Sequence, residues 1–71
     1  MTVTEIIKEV AAKYGASVIP ARGMNSIIQY PERGQGPDIS DDINREFNAI
    51  GLFDWRIKMH PSEQQLAVEV L

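Results

Sequence analysis

The chain contains no cysteine and one histidine. Without thiols there are no disulfides and no thiolate metal sites, so neither device supports the fold. One histidine without cysteine also leaves little from which to build a nucleophilic catalyst. His60 falls at the end of an alternating run on its polar side, where a solvated imidazole is the default. Ser17, Ser26, Ser40 and Ser62 stand in no nucleophile-elbow context. A non-enzymatic protein without a cofactor is expected.

Basic residues are also scarce, 7 against 10 acidic ones, for a formal charge of -3. A protein that holds nucleic acid through its phosphates needs a basic face, so direct nucleic-acid binding is not expected. Long apolar runs are missing, as is a charged-then-apolar leader, and the expected location is the cytoplasm rather than a membrane. At 71 residues the chain forms one domain (1-71) near the lower limit for a single core. With disulfides excluded, a homodimer or docking onto something larger is the remaining source of stability, and monomer and homodimer both stand open.

What is present is clear periodicity, strongest in the last twenty residues. Phe53, Trp55, Ile57 and Met59 alternate with Asp54, Arg56, Lys58 and His60, the period of a half-buried strand. After Pro61-Ser62-Glu63-Gln64 the alternation resumes with Leu66, Val68 and Val70, which predicts an antiparallel hairpin. Matching faces pairs Met59 with Leu66, Ile57 with Val68 and Trp55 with Val70, and sets Arg56 against Glu69. A slip of two residues, pairing Lys58 with Glu69, also satisfies the pattern; a slip of one does not. Phe53 and Trp55 are expected in the core.

Thr2 and Glu5 form a capping box, and Val3, Ile6, Ile7, Val10, Ala11 and Tyr14 fall on one helical face that ends at Gly15. Residues 16–21 and 26–30 read as two short strands, with Pro20 pointing to an edge. Pro31 to Pro37, with two prolines and two glycines, reads as an exposed, mobile loop. A second helix is predicted with Ser40 as its N-cap, Asp41 and Asp42 in its first turn, and Ile43, Phe47 and Ile50 as its buried stripe.

The chain thus reads as an α+β two-layer sandwich of order αββαββ, two helices on one face of an antiparallel sheet. A helix-glycine-strand pattern recurs at an offset of thirty-six, aligning Ile7 with Ile43 and Gly15 with Gly51. It reflects either a duplicated unit or the common grammar of cap, stripe and stop.

Asp38, Asp41, Asp42 and Glu46 make the one pronounced charge cluster. Three readings apply to it: helix capping, a hard-cation site, or an anionic patch facing a basic partner. The spacing fits no EF-hand loop. Gly34-Gln35-Gly36 lacks the lysine and hydroxyl of a P-loop, and nearby aspartates repel an anion, so a phosphate cradle is rejected.

In overall build (short, acidic, cysteine-free, helices with an antiparallel sheet) the chain resembles the small phage-encoded anti-CRISPR proteins. The resemblance implies a phage protein acting in the host cytoplasm as a stoichiometric inhibitor of a CRISPR effector complex. Under it, Asp38, Asp41, Asp42, Glu46 and Glu32 would meet lysines and arginines of the target, with the Pro31–Pro37 segment alongside. The alternative is a small homodimeric structural or regulatory protein paired through a sheet edge.

Overall fold

The computed structural model describes residues 2–71. Two helices, α1 (Val3–Lys13) and α2 (Gln35–Ala49), accompany four strands: β1 (Ser17–Pro20), β2 (Ser26–Gln29), β3 (Trp55–His60) and β4 (Gln65–Val70). A single 3₁₀ turn, Pro61–Glu63, joins the last two strands. The sheet is antiparallel throughout, in the order β1-β2-β4-β3. The α+β reading and its element order therefore hold.

Replacing α1, β1 and β2 by α2, β3 and β4 converts the strand order into its own reverse. The fold is thus two helix-hairpin units joined at the β2–β4 seam. Each helix ends alike, with an aromatic or aliphatic C-cap (Tyr14, Ile50) before a left-handed glycine, Gly15 at φ +66 and Gly51 at φ +74. Their beginnings differ.

At the start of α1 the Thr2 side chain accepts from the Glu5 N–H at 3.2 Å and Glu5 accepts from the Thr2 N–H at 3.0 Å, the reciprocal cap read from the sequence. The start of α2 departs from expectation. Ser40 is not its N-cap but lies inside the helix; Gly34, at φ +88, is the N-cap and supplies no side-chain acceptor. Pro37 belongs to the first turn, where a missing N–H deprives the helix of nothing. The expected loop over 31–37 is therefore shorter, and its last three residues are helical. Gln35 ties this start to α1, accepting from the Glu32 N–H at 3.0 Å and donating to the Tyr14 carbonyl at 3.3 Å.

The core lies between the helices and one sheet face. Ile6, Ile7 and Val10 of α1 meet Ile39, Ile43 and Phe47 of α2 above Ile28, Leu66 and Val68. Each such side chain contributes on the order of 1.5–3 kcal/mol relative to exposure. The β3–β4 register is the in-phase one, Trp55 opposite Val70 through His60 opposite Gln65, so the two-residue slip does not occur. Arg56 meets Glu69 on the open face with two bonds, 3.1 and 3.0 Å long. Trp55 is half-buried, packs edge-on to Phe47 with ring centroids 5.1 Å apart, and donates its indole N–H to the Leu52 carbonyl at 3.1 Å.

Two core expectations are corrected. Phe53 is 70% exposed, because β3 begins only at Trp55 and the strand alternation does not extend back to it. Ile50 is 43% exposed, because α2 closes at Ala49 and leaves Ile50 on the cap.

Candidate functional site

The acidic residues of α2 divide into two populations. Asp42 faces α1 and is 8% exposed. Its Oδ2 accepts from Tyr14 Oη at 2.8 Å and from Lys13 Nζ at 3.0 Å, while Arg45 binds Oδ1. Those bonds hold the carboxyl below its ordinary range, the Tyr14 hydroxyl first and the Lys13 ammonium second. Reciprocally, the carboxylate raises the Tyr14 phenol. Asp42 is therefore the polar joint between the helices.

Glu32, Asp38, Asp41 and Glu46 are exposed and form no ion pair among the described residues. Only Asp38 stands in the first turn, beside the positive end of the helix dipole. The expected placement of Asp41 and Asp42 in that turn fails with the Ser40 cap. Asp38 and Asp41 are three apart and neighbour one another on the outer face of α2; Glu46 is displaced around the helix, below Asp42. Among the described residues no group of three carboxylates or histidines gathers closely enough to hold a metal ion.

The opposite sheet face carries Arg56, Lys58 and His60 in a row along β3, with Arg56 occupied by Glu69. These unpaired carboxylates thus lie at and just before α2, while Lys58 and His60 stand on the uncovered side of the sheet.

A feature outside the charge pattern is the β3 edge. Leu71 donates to the Asp54 carbonyl at 2.9 Å, which makes Asp54–Leu71 a hydrogen-bonded pair. Antiparallel alternation then turns the backbone groups of Arg56, Lys58 and His60 toward β4 and leaves those of Trp55, Ile57 and Met59 on the outer edge. Exposed Met59 lies on that edge strand and exposed Phe53 just before it in the chain. The other edge, β1, is four residues long and contains Pro20. Sequence patterning assigned the β3 strand, but sheet order decides which strands are edges, and no local signal placed β4 inside.

Among the described residues no helix is long and apolar enough to cross a membrane. No family model, no curated protein and no solved structure matches the chain.

Proposed function

We propose that the protein acts without catalysis, as a small inhibitor or adaptor that binds a basic surface on another protein through α2. The observation that carries this reading is the set Glu32, Asp38, Asp41 and Glu46, exposed and in no ion pair among the described residues, while Asp42 alone among the five is consumed by the fold. Unpaired carboxylates on a helix, with Glu32 just before its start, steer association and select a cationic partner. They also occupy positions that phosphates would take on such a surface. The resemblance to anti-CRISPR proteins gives that partner a class, a CRISPR effector complex whose nucleic-acid or subunit docking surface is basic.

The test is a double charge reversal, Asp38→Lys with Asp41→Lys, in a binding and target-cleavage assay on purified effector complexes. Inhibition by the native chain and its loss in the folded double variant are expected. Equal inhibition by both removes the acidic face from the reading, and no inhibition by the native chain removes the effector class.

A second reading rests on the uncovered β3 edge: two copies pairing β3 to β3 into one continuous sheet, as a homodimeric structural or regulatory protein. Light scattering across concentrations separates the two, since a monomer at all concentrations contradicts it.

A further inference from the structure

Between the start of α2 and the turn after β3 lies a recess of about 590 Å³, lined by Tyr30, Arg33, Gly34, Pro37, Met59 and Pro61 among others. Its size lies within the range of about 300–1,000 Å³ usual for small-ligand sites, and its walls are mainly apolar.

Tyr30 is the group that gives this hollow chemistry. The residue is 3% exposed. Its backbone is spoken for, donating its N–H to the Gln64 carbonyl at 2.9 Å and accepting from the Gln64 side chain at 3.0 Å. Its hydroxyl has no hydrogen-bond partner among the described residues. Among the described residues no polar side-chain atom wholly cut off from solvent lacks a partner. The Tyr30 hydroxyl is therefore not sealed in the core; it opens into the recess that the residue lines. It rests against the helix start, since a Cβ added at Gly36 would stand 2.8 Å from Tyr30 Oη.

One further donor stands at the same end, beside the uncapped start of α2. Arg33 lines the recess and takes part in no ion pair among the described residues. The Gly36 N–H belongs to a first turn that has no side-chain cap and finds no backbone acceptor in the preceding residues. Ser62 is not available, because its hydroxyl already donates to Glu63 at 2.8 Å. Asp38 in the first turn and Glu63 near the rim temper the positive field, which disfavours a dianion such as phosphate. The donors suit one singly charged acid group, and the walls suit an apolar body.

We infer that this recess binds a small apolar carboxylic acid. The carboxylate lies between Arg33 and the Tyr30 hydroxyl at the start of α2, and the body lies against Pro37, Met59 and Pro61. This site adjoins the acidic outer face proposed for protein binding, with Asp38 at its margin, but takes its ligand contacts from other residues.

The test is a titration of the ¹⁵N-labelled chain at neutral pH with three probes. Hexanoate carries both features, 1-hexanol the body alone and inorganic phosphate the charge alone. Hexanoate is expected to shift the amides of Gly34, Gly36 and Ser62 saturably and to bind at least about tenfold more tightly than either other probe, as hydrogen bonds to a charged group require. Tyr30→Phe and Arg33→Gln are each expected to weaken hexanoate by about five- to tenfold. Arg33 is exposed, so its variant keeps the fold whatever Tyr30→Phe does. Equal binding of hexanol, preference for phosphate, no saturable shift, or undiminished affinity in folded Arg33→Gln would each overturn the assignment.

Discussion

Tyr14 donates its hydroxyl to Asp42 Oδ2 at 2.8 Å, joining the C-cap of α1 to the middle of α2 across the top of the core. Because the bond shifts both partners' titrations in opposite directions, it bounds stability at both ends of the pH scale.

At the acid end, Asp42 titrates below its ordinary 3.8 when folded and Glu5, bonded to the Thr2 N–H, below its ordinary 4.5. Their contribution is complete above those ordinary values and is lost as pH falls through the lowered ones. At the alkaline end, Tyr14 titrates above its ordinary 10.0, so its contribution is complete below 10.0 and is lost as pH rises through the raised value. Asp42→Asn is expected to cost about 1–2 kcal/mol near neutral pH, its lysine and arginine partners being largely exposed. It also flattens both limbs. Urea melts from pH 2 to 11 on the native chain and variant check this; parallel curves contradict it.

Gly36 is buried because Met59 and Tyr30 lie where a side chain would be. An added Cβ stands 2.7 Å from Met59 Cε and 2.8 Å from Tyr30 Oη. The methionine end can move, but the buried tyrosine ring cannot swing without disturbing the β2–β4 seam. Gly36→Ala is expected to lose about 1–3 kcal/mol despite its better helix propensity. Thermal denaturation measures the sign; a stabilised variant refutes the packing described.

The edge-on pair of Phe47 and Trp55, at an interplanar angle of 82°, makes the sole tryptophan a reporter of the core. Phe47→Leu keeps the volume roughly and loses the aromatic contact, an expected cost of about 1–2 kcal/mol with a red shift of emission as water reaches the indole. Phe47→Ala, expected to cost about 3–5 kcal/mol, leaves so small a domain largely unfolded at 25 °C. Unchanged emission in the leucine variant contradicts the geometry.

Phe53 is a surface residue, so Phe53→Ser is expected to leave stability within about 0.5 kcal/mol of native. If copies associate along β3, the same change weakens their association, because the exposed ring stands at the start of that edge. Sedimentation equilibrium beside a chemical melt reads both effects. A loss of several kcal/mol would place the ring in the core.

Period and caps carried most of this fold. The α1 stripe, its capping box and the β3–β4 hairpin follow from spacing alone, because each pairs neighbours in sequence or across one turn; spacing left two registers open for that hairpin, of which the folded sheet takes the in-phase one. Phe53 was misplaced because alternation does not show where a strand begins. The start of α2 was read six residues late. Pro37 resembled a barrier, and the residue that fixes the true start, Gln35, does so through the distant Tyr14 carbonyl. Asp42 was grouped with its acidic neighbours for the same reason: its partners Lys13 and Tyr14 lie 28 or 29 positions away. Tyr30, which passed as a strand's last residue, had no sequence mark of an open hydroxyl, since that depends on what α2 fails to offer it.

The two rims of the sheet are unequal, and this limits how large any assembly can grow. A strand added along β3 finds six residues free of proline, whereas β1 offers four and ends in Pro20. Joining two molecules through β3 uses up the receptive side of each and turns the resistant sides outward. Association by this route stops at a pair and cannot run on into a fibre.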